Sequence, residues 1–298
     1  MTRTDPRARW AAPNAEAIEA WDGPLFDGFL RFRHLITTGV APHSERALEL
    51  VPPQPGWRVL DIGCGFGDTT QRIAALVGPD GEAVGVDAAA NFIDAARADA
   101  AQAGVANARF EVADVQGASL GGPFNLAYSR FGTMFFASPV AALRNVRAAL
   151  VPGGRLAMVV WRRREDNPWT YRAQTIVESI VVRPEQYDEP TCGPGPFSMA
   201  NADTTSDIVL AAGFEDVALH RCERPVTAGR DLQEAVDLVM ALGPGGEILR
   251  LLGDRGADVR PRVEAALREG LSEFVEPDGT VRARASTWIV TASAPGAR

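Results

Sequence analysis

The feature that most restricts the fold of this chain is a glycine-rich turn between an apolar segment and a helical pattern. Residues 59–62 form a short, mostly apolar run, and Gly63, Gly65 and Gly67 follow it at alternate positions. Glycines allow a backbone to turn sharply and to lie directly against a ligand. The helix predicted over residues 67–77 directs unpaired N–H groups and the positive end of its dipole toward the same turn. The sequence therefore predicts a strand, a turn and a helix that together hold a ligand.

Two classes of ligand suit such a turn, and the spacing of the glycines separates them. The fingerprint of a dinucleotide site places glycines at its first, third and sixth positions, and the sixth position here is Asp68. Gly67 falls one position earlier, and the turn contains no arginine or lysine. Because the Asp68 carboxylate would repel a pyrophosphate, the turn is predicted to hold a ligand with a cationic portion instead.

Acidic residues stand at the ends of three successive predicted strands. Asp61 lies at the end of the first strand, Asp87 closes the run 83–87, and Asp114 closes the run 109–114. The carboxyl ends of parallel strands meet at the edge where open α/β sheets bind ligands. An aspartate at such a junction can also cap a helix, but three in succession favour ligand binding.

The ordered motifs of this part of the chain resemble those of class I S-adenosylmethionine-dependent methyltransferases. They occupy residues 60–67, 85–87, 113–114 and 150–156. Residues 128–136 (YSRFGTMFF) resemble, more narrowly, a bacterial small-molecule branch akin to the methyltransferases of quinone and natural-product biosynthesis. The N-terminal signature of the quinone enzymes does not appear, so the identity of the acceptor does not carry over.

The resemblance implies an α/β fold with a Rossmann-like, doubly wound, seven-stranded and mostly parallel sheet, with helical lid insertions and an antiparallel last strand. The alternation of strands and helices from Trp57 onward independently indicates a parallel sheet. We expect one continuous domain, with an N-terminal helical segment over the cofactor (1–55), a cofactor-binding core (56–161), and lid insertions with the last strands (162–298). The later elements are predicted as strands at 155–161, 216–222 and 286–291, and as a helical stretch at 248–274.

The resemblance implies S-adenosylmethionine as the cofactor and assigns contacts to it. Gly63 and Gly65 would let the backbone approach its methionyl and ribose portions, and Asp61 would bind its ammonium group directly or through water. Asp87 would accept from both ribose hydroxyls, since one carboxylate offers two oxygens, and Asp114 would accept from the exocyclic amine of adenine. The other implied contacts are Cys64 as a small residue beside the ligand, Ala88 and Val115 around the base, and Ser129 beside the methionyl part.

Methyl transfer releases a neutral thioether, S-adenosylhomocysteine, so alignment and the exclusion of water can carry catalysis. A general base is needed only where the acceptor is protonated. His34 is the candidate base, because it lies in the segment predicted to fold over the cofactor; the alternative is a histidine of the surface or the core. Residues 131–136 suit either a pocket wall or the core. Aromatic side chains that would suit a flat acceptor are Trp10, Trp21, Phe26, Phe29, Trp161, Trp169 and Phe197.

Composition excludes several other classes. All thirty basic residues are arginine, which removes Schiff-base and P-loop lysines, and a formal net charge of −8 disfavours a nucleic-acid partner. The three cysteines lie far apart in the sequence, which indicates a reduced, cytoplasmic protein. Neither they nor the three histidines have the spacing of metal ligands. We find no signal peptide and no apolar run long enough for membrane insertion. A homodimer is compatible with the sequence.

We therefore predict an S-adenosylmethionine-dependent methyltransferase that acts on a small or medium-sized, partly apolar metabolite, by O-, N- or C-methylation, as in natural-product biosynthesis. One alternative is an NAD-dependent oxidoreductase on the same sheet. Another is a protein that binds S-adenosylmethionine without methylating anything.

Overall fold

The computed structural model describes residues 14–182 and 194–297. Trp10, and with it the beginning of the predicted N-terminal segment, lies outside the described residues. Residues 183–193 also lie outside the described residues, so that only the end of the predicted loop 184–196 is described.

A seven-stranded sheet organises the chain, with strand order β3-β2-β1-β4-β5-β7-β6. Strands β1 to β5 pair in parallel, and β7 lies antiparallel between β5 and β6. The predicted α/β fold and its antiparallel last strand are confirmed. The strands are β1 (Arg58–Ile62), β2 (Glu82–Asp87), β3 (Ala108–Val112), β4 (Phe124–Arg130), β5 (Leu150–Trp161), β6 (Glu215–Gly229) and β7 (Val281–Ser293).

Helices cover both faces of the sheet, which is why its strands are apolar on both sides. Along β1, Val59 lies in one buried cluster with Ile73 of α5, while Leu60 and Ile62 lie in another with Leu143 of α7. The helices are α1 (Ala15–Ala20), α2 (Phe26–Arg31), α3 (Arg33–Thr37), α4 (Ala41–Leu50), α5 (Asp68–Val77), α6 (Ala90–Ala103), α7 (Pro139–Ala148), α8 (Pro168–Ile180), α9 (Ala202–Ala211), α10 (Leu232–Leu242), α11 (Pro244–Leu251) and α12 (Asp254–Leu271).

The segments inserted after β5 and between β6 and β7 build a second hydrophobic core. Helices α8, α10, α11 and α12 share a buried cluster that also takes in Phe32 and Leu35 from the N-terminal segment. The role of these segments as a lid over an acceptor stays a prediction. None of the described helices has the length and apolar character needed to cross a membrane.

The boundaries of several elements differ from the sequence prediction. Strand β5 begins at Leu150 rather than at residue 155, because the Pro-Gly-Gly sequence stays within the strand at an irregularity in its pairing with β4. Strands β6 and β7 extend well beyond the predicted ranges because they continue as an antiparallel pair whose outward side chains are polar. The helical stretch at 248–274 breaks at Gly253, whose φ of 58° lies in the left-handed region.

Candidate cofactor and acceptor site

A cavity of about 460 Å³ lies at the carboxyl ends of β1, β2 and β4. Its walls come from the glycine turn, from the residues after β2 and β3, from the N-terminal helices, and from α8 and α10. This is the edge at which open α/β sheets bind ligands. The volume is typical of a site for a small molecule.

The glycine turn is held in a conformation that favours glycine. Gly63, Gly65 and Gly67 have φ values of 63°, 53° and 73°, all in the left-handed region. A Cβ added to Gly63 would lie 2.9 Å from the Cα of Gly132, so the backbone beyond β4 packs directly on the turn. Gly63 and Gly65 both line the cavity. The turn thus presents backbone to the cavity, and its contact with a cofactor stays a prediction.

Cys64 also lines the cavity, and its thiol is not set up as a nucleophile. The residue is buried, and burial raises the pKa of the thiol well above its ordinary value. A thiol with a raised pKa remains protonated and unreactive. Cys64 is thus a small, unreactive residue of the cavity wall, and its contact with a cofactor stays a prediction.

Asp87 lies at the end of β2 with its carboxylate fixed by the neighbouring backbone. Its Oδ2 accepts from the Gly65 N–H and its Oδ1 from the Ala89 N–H, both at 3.0 Å. Burial raises the pKa of Asp87, and these hydrogen bonds oppose that shift. Asp87 and Ala88 both line the cavity. Each oxygen keeps a further lone pair for a ligand hydroxyl.

Asp114 and Val115 line the same end of the cavity, beyond β3. The Asp114 Oδ1 accepts from the Gln116 N–H at 2.9 Å, and its Oδ2 accepts from the side-chain amide of Asn14 at 2.9 Å. The N-terminal segment therefore covers this end of the site. Asn14 and Gln116 were not among the predicted contacts, because they are common polar residues outside the motifs.

Two predicted contacts, Asp61 and Ser129, do not line the cavity. Asp61 is only 2% exposed and accepts from the Thr70 Oγ at 2.6 Å. Ser129 is buried and donates to the backbone oxygen of Ile62 at 2.8 Å. The side chain of Asp61 shares its strand face with Val59, so it points toward α5 instead of the ligand edge. A direct contact between Asp61 and a ligand is not supported.

The pH dependence of stability should reveal the buried Asp61. Burial raises its pKa to about 7 from an ordinary 3.8, against the opposing effects of the Thr70 hydrogen bond and of Arg130. The folded state thus holds the proton more tightly than the unfolded state, so this residue's contribution to stability falls as pH rises from about 4 to about 7. We expect the free energy of unfolding of Asp61→Asn, relative to that of the wild type, to increase by roughly 1–3 kcal/mol from pH 5 to pH 8. Urea unfolding of both proteins at the two pH values measures this, and a difference independent of pH would contradict it.

Asp68 and Arg130 form an ion pair that lines the cavity and that the sequence did not suggest. The Arg130 guanidinium donates to both carboxylate oxygens of Asp68, at 2.7 and 2.9 Å. The expectation that Asp68 presents an uncompensated negative charge was therefore wrong, because the pair is neutral. The sequence gives little indication of this ion pair, because the two residues lie 62 positions apart.

The candidate base, His34, is not brought to the cavity. It lies outside the cavity lining, its side chain is 41% exposed, and its Nε2 is 3.2 Å from a carboxylate oxygen of Glu234 on α10. Leu35, the next residue, faces the cavity instead. The described lining contains neither histidine nor tyrosine. Within residues 14–182 and 194–297, no group of three or more histidine, cysteine or acidic residues is arranged to hold a metal ion.

Aromatic residues line much of the cavity. Phe131 stacks on Trp161 with ring centroids 4.2 Å apart, and it has a φ of 60°, a conformation that non-glycine residues rarely adopt. Met134 and Phe135 line the cavity and also pack in the hydrophobic core, so residues 131–136 serve both as a pocket wall and as core. Phe26 packs on Phe92 instead of lining the cavity. The predicted aromatic residues that do line it are Trp21, Phe29, Trp161, Trp169 and Phe197.

Comparison with known protein families places this site in context. A family model described as a methyltransferase domain matches residues 53–203, slightly more than half of the chain. The chain belongs to this family. The matched segment contains the glycine turn, Asp87, Asp114 and the Asp68–Arg130 pair.

Three curated proteins illustrate what this methyltransferase domain is similar to. The ubiquinone/menaquinone biosynthesis C-methyltransferase UbiE of Ectopseudomonas mendocina is 36% identical over 61% of the chain and 74% of its own length. Nocamycin O-methyltransferase of Saccharothrix syringae is 31% identical over 59% of the chain, and aklanonic acid methyltransferase DauC of a Streptomyces species is 34% identical over 39%. The chain spans 65% and 53% of the lengths of the last two relatives.

Solved structures share the fold of the domain at low sequence identity. The YcgJ protein of Bacillus subtilis superimposes with a TM-score of 0.54 at 17% identity, covering 85% of this chain and 100% of its own. The [4+2]-cyclase SpnF superimposes with a TM-score of 0.50 at 19% identity, covering 85% of this chain and 80% of its own. These likenesses confirm the Rossmann-like architecture of the methyltransferase domain.

Replacement of His34 tests its predicted role in the methyltransferase domain. Because His34 lies outside the cavity lining and pairs with Glu234 of α10, we expect His34→Ala to change both the affinity for S-adenosylhomocysteine and any methyl-transfer rate by no more than about two-fold. Calorimetry and product analysis measure the two quantities. A loss of about 100-fold in rate at unchanged affinity would instead identify His34 as the base.

Proposed function

We propose that the protein binds S-adenosylmethionine in the cavity and transfers its methyl group to a small or medium-sized, partly apolar acceptor. The observation that carries the proposal is a single cavity with two unlike ends. One end, beyond β2 and β3, carries Asp87 and Asp114, and the other, beyond β4 and β5, carries the stacked rings of Phe131 and Trp161. Membership in the methyltransferase domain family supports the same reaction class.

The residues present fit the cofactor at the nucleoside end. The Asp87 carboxylate is fixed by two backbone N–H groups and faces the cavity, as required of an acceptor for the ribose hydroxyls. Asp114 and the Val115 N–H would serve the adenine edge, and Ala88 and Val115 would flank its faces. The backbone at Gly63 and Gly65, with Cys64 between them, would lie along the methionyl and ribose portions. When bound, the cofactor supplies an activated methyl group on a sulfonium.

The protein would then act by alignment and by the exclusion of water. The titratable side chains of the described lining are Asp68, Asp87, Asp114, Cys64 and Arg130. Asp87 and Asp114 belong to the nucleoside end, Cys64 is a buried thiol, and Asp68 is paired with Arg130. The cavity therefore suits an acceptor whose nucleophilic atom is already deprotonated, such as a carboxylate or an acidic phenol or carbon acid. His34 plays no part in this scheme.

The acceptor end favours a flat molecule. The stacked pair of Phe131 and Trp161, with Trp169 and Phe197, offers apolar aromatic surface. Two relatives are named for acceptors in natural-product biosynthesis, nocamycin and aklanonic acid. We therefore place the acceptor among the secondary metabolites of that kind, with the acceptor atom open among oxygen, nitrogen and carbon. A cytoplasmic, reduced setting accords with the scattered cysteines, and a homodimer stays a prediction.

Two measurements test the proposed function. S-adenosylhomocysteine should raise the unfolding temperature of the purified protein, and NAD should not. Incubation with S-adenosylmethionine and a panel of phenols, carboxylic acids and β-dicarbonyl compounds should then give a product heavier by one methylene. Stabilisation by NAD alone would favour the oxidoreductase.

A protein that binds S-adenosylmethionine without methylating is the second candidate. The absence of histidine and tyrosine from the described lining is the observation that favours it. The same fold also serves a [4+2]-cyclase. Binding of S-adenosylhomocysteine with no methylated product from any acceptor would support this candidate over the first.

A further inference from the structure

The Asp68–Arg130 ion pair sits where two elements of the sheet edge meet. Arg130 is the last residue of β4, and Asp68 is the first residue of α5, directly after the glycine turn. Both side chains line the cavity, and they are 12% and 32% exposed. The pair is partly buried, so its geometry is fixed, yet it remains open to a ligand.

Both members of the pair keep hydrogen-bonding capacity after pairing. A guanidinium has five N–H donors and a carboxylate has about four acceptor positions. The hydrogen bonds found for Arg130 among the described residues are the two to Asp68. Three donors of Arg130 and about two acceptor positions of Asp68 are then left to face a ligand that carries both an anion and a cation.

Other charged side chains are poorly placed to bind the amino-acid group of a thio-nucleoside. Asp61 lies in the interior and is bonded to Thr70, so it cannot receive an ammonium group directly. Asp87 and Asp114 lie around the nucleoside end. Among the described residues that line the cavity, Arg130 is the only cation. A carboxylate group on the cofactor has no other positively charged side chain to meet.

The neutrality of the pair suits a sulfonium ligand. An unpaired arginine at this place would repel the positive sulfur, whereas an arginine neutralised by aspartate does not. The pair lies close to the end of β1, since β4 pairs with β1 at Asp61 and Tyr128, and Asp68 directly follows the glycine turn. Gly132, two residues after Arg130, touches the turn at Gly63.

We propose that Arg130 binds the carboxylate, and Asp68 the ammonium group, of the amino-acid portion of S-adenosylmethionine. This inference rests on the proposed cofactor, and it makes the ion pair a recognition site for a zwitterion. It replaces Asp61 as the partner of the ammonium group. The pair would therefore distinguish a complete cofactor from a thio-nucleoside that lacks the amino acid.

Binding of two ligands by calorimetry tests the inference. S-adenosylhomocysteine carries the amino-acid group, and 5′-methylthioadenosine has the same nucleoside without it. We expect Arg130→Gln to weaken binding of S-adenosylhomocysteine about 10- to 100-fold and to change binding of 5′-methylthioadenosine by less than about two-fold. Asp68→Asn should act in the same direction with a smaller loss, and it serves where Arg130→Gln does not fold.

A matched variant separates recognition from general damage. Arg58→Gln removes a partly exposed arginine paired with Glu82 at the opposite end of β1, so it should leave the affinities for both ligands unchanged. An equal loss for both ligands in Arg130→Gln and Asp68→Asn would show that the pair only shapes the turn, and no loss for either would also overturn the inference. Failure of the wild type to bind either ligand would instead reject the proposed cofactor.

Discussion

Asp87→Ala is expected to weaken binding of S-adenosylhomocysteine by about 100-fold or more. The carboxylate would accept from both ribose hydroxyls, and each hydrogen bond to a charged group contributes about 1.5–3 kcal/mol. The substitution also frees the Gly65 N–H, which Asp87 holds at 3.0 Å, so the turn loses a contact that fixes its shape. Calorimetry with the purified variant measures the loss.

The same substitution should leave the unliganded protein nearly as stable as the wild type. Burial raises the pKa of Asp87, so the folded state gains little from the charged carboxylate in the absence of a ligand. Asp87→Asn keeps one acceptor and should lose less affinity than the alanine variant. Asp94→Ala, which removes an exposed aspartate from α6, is the matched control. An unaltered affinity of Asp87→Ala for S-adenosylhomocysteine would show that Asp87 does not bind the ribose hydroxyls.

Gly67→Ala is expected to destabilise the fold by about 2–5 kcal/mol. Gly67 has a φ of 73°, and a Cβ there would lie 2.5 Å from the Phe110 ring and 2.9 Å from the Cβ of Ala96. The left-handed conformation costs an alanine about 1–2 kcal/mol, and the overlap with packed side chains costs about 1–3 kcal/mol more. Urea unfolding gives the difference in the free energy of unfolding.

Gly104→Ala isolates the conformational part of this effect. Gly104 ends α6 with a φ of 68°, and a Cβ there would meet nothing within 4 Å. Its replacement should therefore cost only about 1–2 kcal/mol. Equal losses for the two variants would mean that α6 and β3 move apart to accept the new methyl group. The steric argument for Gly67 would then be wrong.

The strand–turn–helix unit was predictable because its causes are local. Glycine at alternate positions, an apolar run before them and a helical pattern after them specify Gly63 and the start of α5 within a few residues. The position of Asp87 followed from the same regularity, since a strand ending in aspartate brings its carboxylate to the ligand edge. The seven-stranded sheet and the antiparallel β7 followed from the family resemblance and are confirmed.

The residues whose surroundings differ from the prediction are positioned by contacts between distant parts of the chain. Asp61 belongs to a ligand motif, but the alternation of side chains along β1 turns it toward Thr70 of α5. The neutralisation of Asp68 needs Arg130, which is remote in sequence and comes near only when β4 lies beside β1. His34 was assigned by its place in the N-terminal segment, whereas Glu234 of a much later helix decides where it lies. Local sequence patterns do not predict contacts between residues that are remote in sequence.

The wall of the cavity combines two parts of the polypeptide, and this division bears on how such a protein can change its chemistry. The glycine turn and Asp87 lie at the tips of β1 and β2, whereas Trp169 of α8 and Leu238 of α10 line the cavity from helices inserted outside the parallel strands. Exchange of those inserted helices would alter which molecules are accepted while leaving the cofactor apparatus intact. The architecture thus separates an inherited reaction from an evolvable choice of substrate.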